Sequence, residues 1–180
     1  MSASASPRRD ELLERAYLYA LEHGVADLSL RPLAAAVGSS PRVLLFLFGS
    51  KAGLVQALLA RARQDELELL ERARTAGDLR AVATELWGWL AAEEHRGLLL
   101  LWVEGYARSL IDSEGPWAGF AAATVADWLE VLEGLSEDPA EQTLILAMLR
   151  GALLDLLATG DVARVGAAVN RQLVMMGPAR

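Results

Sequence analysis

The sequence predicts an all-α protein of about nine helices, with a compact three-helix unit at the N-terminus and long apolar helices after it. Three observations carry this. No run alternates β-branched and polar residues as a half-buried strand does. Apolar residues recur instead at helical spacing. Gly, Pro, Ser and Asp stand between the apolar segments as caps and breaks.

The first helix is expected from about Arg8 to His23. Leu13, Ala16, Tyr17, Ala20 and Leu21 fall on one face, Gly24 suits the left-handed residue after the helix end, and the acids Asp10, Glu11 and Glu14 suit the positive end of its dipole. The second helix is short, about Leu30 to Val37, with Ser29 as N-cap and Pro32 in the first turn. The third, about Pro41 to Leu47, has Ser40 as cap and proline at the favoured first position. Gly49-Ser50 breaks the chain again, and Ser50 caps a fourth helix from Lys51 to about Arg74. Two short helices about the tight turn Gly38-Ser39-Ser40 form a helix-turn-helix pattern. Long helices are then expected near Asp78–Glu94, Leu98–Ser113, Trp117–Gly134, Pro139–Thr159 and Val162–Met176. This gives a domain of residues 1–53, with a flexible tail at 1–7, and a second helical domain of 54–180.

The 180 residues carry a net charge of −7, no cysteine and only two histidines, His23 and His95. Disulfide scaffolds, thiolate zinc sites, iron–sulfur clusters and cysteine nucleophiles are excluded, and no cofactor or metal is expected. No nucleophile–base pair or phosphate-cradling glycine loop stands out, so the chain does not read as an enzyme; Glu93-Glu94-His95 reads as the end of a solvated helix. The longest uncharged apolar stretches, Val43–Phe48 and Leu98–Val103, fall short of the ~20 residues of a membrane span, and no apolar signal segment follows Met1. A soluble, cytoplasmic protein without membrane contact is expected. Residues 1–53 sum to +1 and the remainder to −8, so the acidity belongs to the second part. Lys51 is the sole lysine.

The run Ala16-Tyr17, Glu22-His23-Gly24, Leu28-Ser29-Leu30-Arg31-Pro32-Leu33-Ala34, Val37-Gly38-Ser39-Ser40, Leu47-Phe48-Gly49-Ser50-Lys51 and Leu54 resembles the DNA-binding domain of the tetracycline-repressor (TetR) family. The resemblance covers about residues 8 to 58 and is most specific at Phe48-Gly49-Ser50-Lys51. It implies a homodimeric transcriptional regulator, a repressor that binds a palindromic operator in double-stranded DNA. In such proteins the third helix enters the major groove, and the C-terminal helices dimerise and often enclose a small-molecule pocket.

The residues bear on this individually. Free amides at helix N-termini suit phosphate oxygens. Ser29, Ser39 and Ser40 can add hydroxyl contacts, or Ser29 and Ser40 serve as caps alone. The resemblance gives Lys51 a backbone phosphate; its other reading is a solvated surface lysine. Arg31 and Arg42 can bind phosphate or form surface ion pairs, and Arg42 can reach a base edge. The third helix departs from the family pattern, which favours polar or hydrogen-bonding aromatic residues there. Leu44 and Phe48 are expected in the core. Val43, Leu45, Phe46 and Leu47 are left groove-facing or half-exposed, beside Pro41 at the helix start. A tyrosine common in the family is replaced by Leu45. Apolar groups can contact thymine methyls but cannot read the hydrogen-bonding edges of guanine or adenine. The alternative is a protein of the same fold that acts through protein contacts of this helix.

In the second part, Trp87, Leu90, Trp102, Tyr106, Trp117, Phe120, Trp128 and Met148 are expected either to line a pocket for a small apolar ligand or to fill a core. Glu104, Tyr106, Arg108 and Asp127 are the polar groups that could orient a ligand or stand in solvent, and Gly97, Gly105, Gly115 and Gly119 are expected to loosen the region. The segment Leu144–Ala158 is apolar nearly all round, so two of its sides need cover. Leu146, Leu149, Leu153 and Leu157, with Val165, Val169 and Leu173, are expected to form a dimer interface.

Overall fold

The structure is a computed structural model and describes residues 7–25 and 28–176. Among these it contains no strand and nine α-helices. They are α1 (Pro7–His23), α2 (Leu30–Ala36), α3 (Pro41–Phe48), α4 (Lys51–Ala73), α5 (Leu79–Leu90), α6 (Arg96–Ile111), α7 (Phe120–Glu133), α8 (Pro139–Thr159) and α9 (Val162–Met175). The tail expected at 1–7 lies, up to Ser6, outside the described residues, and Pro7 already belongs to α1.

The chain forms two compact units. The first holds the chain up to Gln64 together with Gly97–Ala121; the second holds Asp65–Arg96 and the chain from Ala122 onward. This division differs from a boundary at 53–54. No break interrupts α4 there, and α6 joins the first unit.

In the first unit the core takes Leu12, Ala16, Tyr17 and Ala20 from α1, Leu33 and Ala34 from α2, Leu44 and Phe48 from α3, and Leu54 and Leu58 from α4. The α1 face is turned from the expected one: Leu12 is buried, while Leu13 and Leu21 are half-buried. Arg61 donates to Glu14 at 2.7 Å and lies over the Tyr17 ring, tying α4 to α1. Arg9 lies over Phe48 and ties α1 to the end of α3. Gly97 and Gly105 are packing positions that do not loosen the region. A Cβ on Gly97 would sit 2.7 Å from the Leu21 carbonyl oxygen, and one on Gly105 would meet Leu59 and Phe120. The helix expected from Trp117 begins only at Phe120, and Trp117 is buried in the preceding turns.

In the second unit α8 packs on α9, and both pack on α5. The helix expected to run to Glu94 ends at Leu90, and Glu93–His95 is a separate 3-10 turn. There His95 stacks on Trp89 and its Nδ1 lies 2.9 Å from the Trp89 carbonyl oxygen. Glu66 is buried and accepts from the Trp128 indole N–H at 2.5 Å, joining α4 to α7. By length and composition α8 is apolar enough to cross a membrane, a property the short uncharged stretches did not announce. One of its faces is buried in the unit.

At the α8–α9 turn Arg164 donates two bonds to Asp155, at 2.8 and 2.5 Å. The hydrogen bond and the charge of Arg164 hold the Asp155 carboxyl below its ordinary value. A depressed carboxyl stabilises the fold above its unfolded-state value and loses that contribution as pH falls through the folded value. Both groups are exposed, so the effect on global stability is small. Arg164→Gln is expected to move the Asp155 titration upward, toward an ordinary carboxylate, in an NMR pH titration; an unmoved titration would count against the pairing.

Candidate nucleic-acid interface

The helix-turn-helix is built by local chemistry. Gly38 has φ +66°, a left-handed conformation that costs an L side chain energy, and it turns the chain out of α2. The Ser39 amide closes the turn on the Ala34 carbonyl at 2.8 Å. Ser40 then caps α3, its hydroxyl accepting from the Val43 amide at 3.3 Å, with Pro41 in the first turn. Ser50 caps α4 by accepting from the Gly53 amide at 2.9 Å. Ser29 occupies the N-cap position of α2, but its hydroxyl makes no capping bond. That hydroxyl is exposed and open to another acceptor or donor.

The expected contact residues lie on these elements. Arg31, Arg42 and Lys51 are exposed, Ser40 is exposed, and Ser39 and Pro41 are half-buried. Leu44 and Phe48 face the core as expected. Val43 and Leu45 are 38% and 39% exposed, and Phe46 is 84% exposed. Leu47 is half-buried and packs against the core.

The electrostatics are sharper than the net charge suggests. Residues 28 to 64 contain Arg31, Arg42, Lys51, Arg61 and Arg63, and no Asp or Glu at all. The acids that hold the first 53 residues near neutrality include Asp10, Glu11 and Glu14 of α1. Glu11 is bonded to Arg8 and Arg15, and Glu14 to Arg61. Among the described residues Arg31, Arg42 and Lys51 enter no ion pair. Among the described residues the helix-turn-helix thus presents three cations outside any ion pair, in a protein of net charge −7. This acid-free run can be read from the sequence, though net sums over domains conceal it.

The eight residues expected to line a pocket divide between the units. In the first, Trp117 and Phe120 are core residues, and Trp102 packs against that core with its ring centroid 5.0 Å from that of Tyr106. In the second, Trp87, Leu90 and Trp128 are buried and Met148 is half-buried. A cleft of about 370 Å³ in the second unit lies elsewhere, between α4 and α7. Glu68, Glu71, Asp127 and Glu130 line it with Arg74, Leu67, Leu70 and Val131, and none of the eight does. Glu104 is half-buried and engaged within its own chain: its Oε2 accepts from the Val25 amide at 2.9 Å, beyond the end of α1.

The expected dimer residues require a correction. Leu146, Leu149, Leu153, Val165, Val169 and Leu173 are buried within their own chain, and Leu157 is half-buried. They face inward. Because α8 is apolar on every side, periodicity alone does not reveal which side its own core takes. The outward stripe is Ala140, Thr143, Leu144, Ala147, Gly151, Leu154 and Ala158. Leu144 and Leu154 are 56% and 51% exposed there.

No family model and no curated protein matches the chain. Solved structures do. The multidrug binding protein EbrR complexed with imidazole aligns over 98% of this chain and 93% of its own, with TM-score 0.75 and 23% identity. A TetR-like transcriptional regulator from Rhodococcus sp. RHA1 aligns over 96% and 94%, with TM-score 0.64 and 21% identity. The fatty acid degradation regulator FadR from Bacillus halodurans aligns over 96% of each chain, with TM-score 0.64 and 15% identity. The chain therefore has the fold of the TetR-family transcriptional regulators, with α2 and α3 as its helix-turn-helix.

Proposed function

We propose that this chain is a homodimeric transcriptional regulator of the TetR family, a soluble cytoplasmic repressor that binds a palindromic operator and is released by a small apolar ligand. The carrying observation is the acid-free helix-turn-helix, where Arg31, Arg42 and Lys51 have no ion-pair partner among the described residues. Positive side chains beside exposed helix N-termini suit phosphate oxygens. The outward apolar stripe of α8 supports a second copy as partner, because a face of this kind is otherwise left in water. A two-fold axis would then place two α3 helices on successive major grooves, about 34 Å apart or a multiple of it. The ligand rests on the fold: its relatives include a multidrug binding protein solved with proflavin.

The test is a mobility shift on DNA flanking the chain's own gene across a salt series. Tight binding at ~50 mM salt is expected, weakening as salt rises. Arg42→Ala and Lys51→Ala are each expected to reduce the log–log salt slope by about 0.9 per lost phosphate contact. An unchanged slope in both variants would remove these residues from the interface, and no binding at low salt would end the DNA reading.

A second reading is favoured by one observation, the 84% exposure of Phe46. It has α3 docking on a protein, and it requires that charge removal at Arg42 and Lys51 leave function intact while Phe46→Ser abolishes it.

A further inference from the structure

The outward face of α3 has an unusual makeup for a surface in an acid-free, cationic region. Leu44 and Phe48 define the buried side of this helix. At 100° per residue, Phe46 falls directly opposite them, with Arg42 one turn before it and Val43 three residues before it on the same side. Phe46 is the most exposed large apolar side chain among the described residues, and Leu45 and Val43 flank it at partial exposure. From Pro41 to Phe48 the only side chain with a hydrogen-bonding group is that of Arg42.

Apolar area turned to water at a contact surface becomes favourable only when another apolar group covers it. In the major groove the one apolar group on a base edge is the 5-methyl of thymine. The surrounding chemistry fits duplex DNA, because Arg31, Arg42 and Lys51 are exposed and enter no ion pair among the described residues, and the segment 28–64 adds no carboxylate to repel phosphates. We propose that α3 selects its half-site through thymine 5-methyl groups, with Phe46 as the principal contact, Val43 and Leu45 beside it, and Arg42 as the single donor able to reach a guanine. This rests on the reading that α3 enters the groove of DNA. It follows that the half-site is thymine-rich at its centre and carries at most one guanine read directly by α3.

The experiment uses the full chain. A duplex is first selected from a random pool, and each thymine of the selected site is then replaced in turn by deoxyuracil. That change removes the 5-methyl and leaves the hydrogen-bonding edge intact. At the contacted positions, symmetric in the two half-sites, affinity is expected to fall about fourfold per methyl, the ratio that corresponds to ~0.8 kcal/mol per buried carbon. In Phe46→Ala the thymine and uracil duplexes are expected to bind equally at the position Phe46 covers, which closes a double-mutant cycle between side chain and methyl. The side chain is exposed, so thermal unfolding of Phe46→Ala should match that of the parent.

Equal binding of thymine and uracil duplexes by the parent chain would overturn the proposal. A uracil penalty that persists in Phe46→Ala would overturn it too. If Phe46→Ala leaves affinity for every duplex unchanged, the residue serves another occupant and the proposal fails. If the pool yields no bound duplex at low salt, the DNA-binding reading itself fails, a result distinct from the other three.

Discussion

Gly53→Ala is expected to destabilise the protein by about 2–3 kcal/mol, the upper range for overpacking at a site that cannot give way. The reason is a close approach between backbones. A Cβ built on Gly53 would lie 2.2 Å from the Phe48 carbonyl oxygen, the last residue of α3. No side chain can rotate aside to relieve this contact, so α3 must shift against α4. The Gly49-Ser50 turn between them is tight: Gly49 holds φ +78° and Ser50 spends its hydroxyl on the Gly53 amide. For a chain of this length such a loss lowers the melting temperature by roughly 5–10 °C. Gly88 supplies the opposite case. It lies inside α5, and a Cβ there meets nothing within 4 Å. Gly88→Ala should therefore stabilise by about 0.5–1 kcal/mol through helix propensity alone. Melting curves of the two variants should move in opposite directions. If Gly53→Ala melts with the parent, α3 and α4 do not meet as closely as described. Operator affinity should fall with Gly53→Ala, because the displaced turn joins α3 to Lys51.

Local chemistry made much of this fold legible. Ser40-Pro41, Ser50, Asp138-Pro139 and Gly160 announce helix ends by mechanisms that act within one turn, and α3, α4 and α8 begin or end where these residues stand. What was not legible depends on partners distant in sequence. On α1, Leu12 and Leu13 are adjacent and equally apolar, and only packing against α2 and α4 decides that Leu12 goes to the core. Glu104 looks like any helix-surface acid until α6 brings it to the Val25 amide, 79 residues away. The aromatic set read as one group, a pocket lining or a core, yet its members divide between the two compact units. For the contact surface, the acid-free run 28–64 was present in the sequence throughout. Its meaning emerges once Glu11 and Glu14 are seen to be bonded to arginines within the first unit, while Arg31, Arg42 and Lys51 of the acid-free run are exposed and enter no ion pair among the described residues.

Gly151→Arg combined with Leu154→Arg is expected to turn the proposed dimer into monomers. Gly151 and Leu154 stand on the outward face of α8, opposite the buried Leu149 and Leu153. Nothing within the chain lies within 4 Å of a Cβ on Gly151. In a lone subunit both new side chains would point into water at little cost. In a two-fold interface each would be repeated on the partner and stripped of water without a designed counter-charge, a penalty of about 3–5 kcal/mol. Dimer dissociation should rise by a factor of 100 or more, readable by sedimentation at micromolar protein. The inward residues provide the contrast. Leu149→Ala removes a fully buried side chain and should cost about 2–5 kcal/mol of folding stability. The outward pair should leave helical content and melting of the monomer nearly unchanged. Operator binding should collapse in the outward pair even though every α3 residue is intact, because a monomer engages one half-site and loses the high effective concentration of the second. A dimer that survives both substitutions would place the contact off this face of α8. A dimer lost together with operator affinity, while isolated subunits stay folded, would tie recognition by α3 to the stripe on α8.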